Sequence, residues 1–201
     1  MSFEFGTTGV KSRDFKVYVR DASIWQWIPT PGTLPGAWII DTTYYAGNTV
    51  SIEEGGVTNC YMALSEHYSS DTNKPEFIKV GQCLKEGIGV TVEEGDSTML
   101  NEAGQASVDL NCTATFTLAN ITKDNVDFFS ALDGKSLDVV FVETGDSPSF
   151  FIWIKSVMYN YQENFQSGEV QTLPVELNKT VPTMTEFRVY SATQTMILPN
   201  N

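Results

Sequence analysis

The chain has 201 residues and a formal net charge of −13. That length fits one domain, and that charge opposes ordinary binding to nucleic acid or anionic lipid. Hydrophobic residues make up 41% and aromatic residues 12%, which is enough for a sizeable core and leans towards β structure. No run of about eighteen apolar residues occurs, so no transmembrane helix is expected. The opening MSFEFGTTGVKSRDFK lacks an apolar core of signal-peptide length, so classical secretion is not expected either.

In chain order, residues 1–14 read as a polar N-terminal arm, and Phe15 to Arg20 (FKVYVR) alternates as a first strand. From 21 to 75 the pattern weakens into a long loop excursion or insertion. It carries Trp25, Trp27, Trp38, Tyr44 and Tyr45, with one short strand expected over Thr49 to Ile52. So long a stretch without regular structure is uncommon in a compact domain. It either contains strands too short to register or becomes ordered against a partner. Its aromatic residues accordingly either plug the open end of the core or anchor a neighbouring subunit.

Regular patterning returns with Phe77–Val80 and with Glu86–Glu93 (EGIGVTVE), where Ile88, Val90 and Val92 share one face and Gly87, Gly89, Thr91 and Glu93 the other. After a Gly- and Asn-containing turn comes the longest regular signal in the chain, Gln105 to Leu118 (QASVDLNCTATFTL). Ala106, Val108, Leu110, Cys112, Ala114, Phe116 and Leu118 alternate with Gln105, Ser107, Asp109, Asn111, Thr113, Thr115 and Thr117. A period of two makes this a strand with one dry and one wet face, paired with the preceding strand as a long two-faced hairpin. The wet face holds hydroxyls, amides and one carboxylate, with no Lys, Arg or aromatic residue.

One helix is expected, from Lys123 to Asp133. Thr122 is its N-cap, Asp124 suits its positive end and Gly134 its C-terminal left-handed position, with Val126, Phe129 and Leu132 on the sheet. Leu137–Glu143 is apolar on both faces and reads as a central strand. Ser149–Tyr161 follows, then Glu169–Leu177, where Pro174 signals a bulge or an edge, and Glu186–Tyr190 last. The fold class expected is mainly β, a β-sandwich or barrel-like single domain over 1–201 with one flanking helix.

Catalytic constellations are nearly absent. His67 is the sole histidine, with Cys60 seven residues before it and Glu66 beside it, and spacing alone does not make a nucleophilic pair. Cys60, Cys83 and Cys112 fit no zinc or redox pattern and read as reduced and structural. Acidic groups stand at Glu53–Glu54, at Glu93–Glu94 with Asp96 and at Asp138 with Glu143, and of these Glu93–Asp96 reads as a solvated hairpin turn more readily than as a metal site. Asn111, Asn120 and Asn178 stand in N-x-S/T sequons that read as chance without a secretory signal. Trp153, Tyr159 and Tyr161, counted along one face of a strand, offer a sugar-stacking row, although Phe151 and Val157 on that face favour core. No catalytic, cofactor-binding or metal residue is expected.

On these residues the chain resembles the tail tube (major tail) proteins of tailed bacteriophages and their relatives in contractile injection systems. The resemblance rests on the pair GIGVTVEEGD and QASVDLNCTATFTL, on NVDFFSALDGKSLDVVFVE and on SGEVQTLPVEL, within about 80–180. It implies a structural, non-enzymatic virion protein, assembled in the host bacterial cytoplasm and located in the tail. It implies hexameric rings of this chain, stacked into a tube beside other tail or connector proteins, without a membrane. Viral DNA would pass through without specific binding. Thr91, Glu93, Gln105, Ser107, Asp109, Asn111, Thr113, Thr115 and Thr117 would face the lumen, and Trp25, Trp27, Trp38, Tyr44 and Tyr45 would anchor neighbouring subunits. The alternatives are a tail terminator, head–tail adaptor or capsid decoration protein, or a carbohydrate-binding or adhesive β-sandwich.

Overall fold

A computed structural model describes residues 15–54, 56–82, 88–94, 109–119, 121–143, 151–161 and 172–191. The expected N-terminal arm, 1–14, lies outside them. The fold is mainly β. In order it runs β1 (Phe15–Asp21), β2 (Trp25–Ile28), β3 (Thr43–Tyr44), β4 (Thr49–Glu54), β5 (Val57–Ala63), β6 (His67–Tyr68), β7 (Ile78–Gln82), β8 (Gly89–Glu94), β9 (Leu110–Ala119), α1 (Lys123–Ala131), β10 (Ser136–Glu143), β11 (Phe151–Tyr159), β12 (Thr172–Val181), α2 (Met184–Phe187) and β13 (Arg188–Ser191).

The main sheet is antiparallel with the order β7-β1-β10-β11-β12-β9-β8, and β13 also pairs with β11. Its two terminal strands, β7 and β8, are neighbours in the chain, separated only by residues 83–88. Seven Cα steps reach at most about 25 Å, whereas a flat seven-stranded sheet would hold its edges about 29 Å apart. The sheet therefore rolls, and Gly81 of β7 comes against the Ala119 carbonyl of β9, 4.0 Å from where a Cβ would stand. Inside the roll lie Val17 and Val19 of β1, Cys112, Ala114, Phe116 and Leu118 of β9, and Leu173, Val175 and Leu177 of β12, with Phe129 of α1 and Phe187 of α2 packed among them.

α1 forms where its caps demand. Thr122 Oγ1 accepts from the Asn125 N–H at 3.3 Å, and Asn125 Oδ1 accepts from the Thr122 N–H at 2.9 Å, a reciprocal capping box. Leu132, at φ −95° and ψ 0°, already departs from the helix, so α1 ends two residues before Asp133, and Gly134 takes the left-handed turn at φ 70°. Phe129 and Leu132 are buried as expected, and Val126 only partly. β10 is central and covered on both faces, with Leu137, Val139 and Phe141 inward and Val140 and Val142 outward.

The structure decides between two alternatives and changes one expectation. Residues 21–75 contain strands too short to register in the sequence. They form a three-stranded sheet, β2-β5-β4, and a two-stranded one, β3-β6. This layer covers the outer face of β1, β10 and β11 around Tyr18, Val140, Val142 and Phe151. Second, the register between β10 and β11 slips, pairing Val139 with Ile154 but Leu137 with Val157. The extra residue turns β11 over in mid-strand. Phe151 and Trp153 therefore join the outer layer, while Ile154, Val157 and Tyr159 face the interior. No single aromatic row exists on this strand, and the sugar-stacking platform goes with it. Pro174 causes no bulge, since β12 pairs without interruption from Thr172 opposite Ala119 to Val181 opposite Leu110. On its other side the described β11 pairing reaches only Leu177 and Asn178, leaving Pro174 beyond it.

Candidate functional site

The outward rows of β8, β9 and β12 form one continuous polar surface. Register sets Gly89, Thr115 and Glu176 in one row, Thr91, Thr113 and Asn178 in the next, and Glu93, Asn111 and Thr180 in a third, with Thr117 opposite Pro174 beyond them. Asp109, exposed, stands just before β9. Neighbouring strands lie about 4.8 Å apart, so side chains within a row touch. Thr113 Oγ1 donates to Asn178 Oδ1 at 2.8 Å, and Thr180 Oγ1 donates to Asn111 Oδ1 at 2.8 Å. The Asn178 amide then donates to Glu176 Oε1 at 3.1 Å.

These bonds explain two of the three sequons. Asn111-Cys112-Thr113 on β9 runs antiparallel to Asn178-Lys179-Thr180 on β12, so each threonine meets the other strand's asparagine. The result is a reciprocal box that draws the polar groups towards one another. Gly89 completes the adjoining row. A Cβ there would stand 2.6 Å from Thr115 Oγ1, so glycine leaves the space that the threonine hydroxyl occupies.

The charges on this surface share one sign. Glu93, Glu176 and Asp109 are exposed, and the rows contain no Lys or Arg. Lys179 belongs to the opposite parity of β12, and its Nζ donates to the Lys155 and Glu186 carbonyls. Burial holds the Lys179 ammonium below the usual lysine range. Met158, opposite Asn178, is the exposed apolar side chain at the margin. Of the residues expected to face a lumen, Thr91, Glu93, Asp109, Asn111, Thr113, Thr115 and Thr117 therefore share one described surface. Gln105 and Ser107 lie outside the described residues. Glu176, Asn178 and Thr180 were missed, although the repeated Asn-x-Thr spelling was a visible sign that two strands match.

The aromatic residues expected to anchor neighbours divide differently. Trp25, Trp27 and Tyr44 are buried within the chain's own outer layer. Trp25 meets Tyr44 edge to face at 5.1 Å, and Trp27 meets Phe77 and Trp153, each at 4.9 Å. Rings already enclosed on both sides present no face to a neighbour, so the anchoring role does not fit these three. Trp38 is half-buried and Tyr45 exposed.

A buried charged group locks this layer to the sheet. Arg20 pairs with Asp138, its partner across β1 and β10, and also donates to the Trp25 carbonyl at 2.7 Å. Its guanidinium carbon stands 5.3 Å from the Tyr61 ring centroid and 5.6 Å from that of Phe77. Glu54 accepts from Asn59, from Tyr61 Oη at 2.8 Å and from the Phe77 N–H at 2.9 Å. Burial, with the Glu54 charge beside it, pushes the Tyr61 phenol well above its ordinary range.

His67 is held between the rings of Trp25, at 4.7 Å, and Tyr44, at 5.9 Å, with Nδ1 at 2.9 Å from the Ser65 carbonyl. Cys60 and Cys112 are free and buried, and burial raises both thiols, which makes them poor nucleophiles. Cys83 lies outside the described residues. Among those residues no group of three or more His, Cys, Asp or Glu is placed to hold a metal ion, and no helix is long and apolar enough to cross a membrane.

No protein-family model and no curated protein matches the sequence. Among solved structures, a chain of the cryo-EM structure of the anti-feeding prophage (AFP) baseplate, 6-fold symmetrised, aligns over 88% of this chain and 97% of that one, at 11% identity and a TM-score of 0.34. A likeness of that size assigns neither fold nor function.

Proposed function

We propose that this protein is a non-enzymatic structural component of a phage-like particle. Copies of it close into rings, the rings stack as a tail tube, and the polar rows of β8, β9 and β12 line the channel through which the genome passes. The observation that carries this reading is the surface itself: three strands of hydroxyl, amide and carboxylate groups, those of β9 and β12 bonded to one another, with no cation in the described rows. Such a wall offers no cation to displace the counterions of a phosphate backbone and repels it at short range, so DNA would slide instead of sticking. β8 ends the sheet path on this side, and closing strands of successive copies into a shared barrel would cover such an edge. The enclosure of His67 by aromatic rings, and the burial of both described thiols, support a role without catalysis. Assembly would take place in the host cytoplasm, with other tail or connector proteins as further partners.

Negative-stain electron microscopy of the concentrated protein, with light scattering for mass, tests this. Rings or tubes with a central hole, at a multiple of the 22.3 kDa chain, are the expected result. Rings that do not stack would move the assignment to a terminator, adaptor or decoration protein. A monomer at every concentration would overturn it.

A further inference from the structure

Nine large apolar side chains stand exposed among the described residues, and six of them, Leu34, Ile39, Ile40, Tyr45, Leu64 and Tyr68, fall between residues 34 and 68. Their backbone is fixed. The Ile39 N–H donates to Tyr44 Oη at 2.8 Å and its carbonyl accepts from Ser69 Oγ at 2.7 Å. The Asp41 N–H donates to the Ser69 carbonyl at 3.1 Å, and the Gly47 N–H to the Ala63 carbonyl at 2.9 Å. These bonds bring 39–42 against 69 and 45–48 against 63, and Tyr68 pairs with Thr43, so Ile39, Ile40, Tyr45 and Tyr68 are displayed on a lobe already ordered. Exposed apolar groups gathered in this way mark contact surfaces, and prior ordering lowers the entropy lost on contact.

The lobe is also acidic. Asp41, Glu66 and Asp71 are exposed on it, and residues 34–71 hold five carboxylates and no Lys or Arg. The opposite charge gathers around α2. Lys155 Nζ donates to the Thr185 carbonyl at 3.0 Å, Lys179 Nζ to the Lys155 and Glu186 carbonyls at 3.2 and 3.1 Å, and Arg188 stands across from Ile154. Glu186 is the exposed carboxylate among these three cations, in a chain of net charge −13.

We propose that the 34–71 lobe docks on the α2 corner of a second copy of this chain, setting Asp41, Glu66 and Asp71 against Lys155, Lys179 and Arg188. The contact is head to tail, the kind that propagates into a ring or a filament. It rests on the self-assembly reading above and names one of its interfaces.

Charge exchange tests it. One variant carries Asp41→Lys, Glu66→Lys and Asp71→Lys; the other carries Lys155→Glu and Arg188→Glu. Circular dichroism first establishes that each is folded. Each alone sets like charges together and should lose about tenfold or more in assembly measured by light scattering. In an equal mixture, contacts between the two variants set opposite charges at Lys155→Glu and Arg188→Glu against the three new lysines, and assembly should recover towards wild type. If either variant fails to fold, Ile39→Ser with Tyr68→Ser removes the apolar part of the contact instead and should also weaken assembly. Two folded variants that assemble like wild type, or a mixture that stays apart, would overturn this contact while leaving self-assembly by another surface intact. A wild-type chain that never assembles would overturn both.

Discussion

The outer face of the rolled sheet has two halves. On β1, β10 and the first part of β11 it carries Tyr18, Arg20, Asp138, Val140, Val142 and Phe151, all buried beneath the 21–75 layer. On β12, β9 and β8 it carries Thr, Asn, Glu and Gly, with Pro174 at one end, and no layer of the described residues lies over them. Inward-facing positions are apolar in both halves through the middle of the strands, with Lys179 of β12 the charged exception opposite Cys112, so the outward residues chiefly distinguish them. The covered half uses burial and closed hydrogen bonds to fix a second layer. The bare half adds little burial and holds a uniform polar surface, the composition expected where a surface is kept for contact with something that must not adhere.

Substitutions can break or sharpen that contrast. The largest effect is expected in the covered half. Trp27→Ala should destabilise by about 3–5 kcal/mol, because its ring fills the space between Phe77 and Trp153. Urea unfolding would show this as a lower midpoint, and a midpoint like wild type would mean the layer does not hold the fold together. Glu54→Gln should cost about 1–3 kcal/mol, since an amide cannot accept from all three of Asn59, Tyr61 and Phe77 as the carboxylate does.

A smaller, pH-dependent effect belongs to Asp21. Burial alone would raise its pKa, but hydrogen bonds from Ser23 and the Lys135 ammonium outweigh burial and hold it below the ordinary range. A depressed pKa favours the folded state above the unfolded value of about 3.9, and that contribution is lost as pH falls through the folded value. Asp21→Asn should therefore flatten part of the acid limb of a stability-against-pH curve. An unchanged limb would contradict that assignment.

The smallest effect is expected on the bare half. Thr113→Val removes the bond to Asn178 from a partly exposed site and should cost no more than about 1 kcal/mol. A loss as large as that of Trp27→Ala would show that the polar rows carry the fold, and the contrast between the halves would fail.

Much of this was legible in the chain. The alternation of Leu110 to Leu118 gave a strand and the wet residues on it, and Thr122 with Gly134 marked the ends of the helix within two residues. The hidden parts have physical reasons. In β5, Asn59, Cys60 and Tyr61 are all buried, because one face meets the main sheet and neighbouring polar groups satisfy Asn59. No apolar–polar rhythm survives there. The bulge in β11 reverses a face without changing composition, so counting by twos carried Tyr159 to the wrong side. Two of the three strands of the candidate surface, β8 and β9, were readable. The β12 part depended on which strand pairs with β9, and pairing across some sixty residues is a tertiary choice that local pattern does not encode.

The most direct test of the channel assignment is an electron cryomicroscopy map of the assembled protein, resolved well enough to tell the two faces of β9 apart. The account predicts a central hole with Thr113 and Thr115 of every copy turned towards it and the 21–75 layer away from it. A map with those threonines on the outer surface, or with the aromatic layer around the hole, would contradict it.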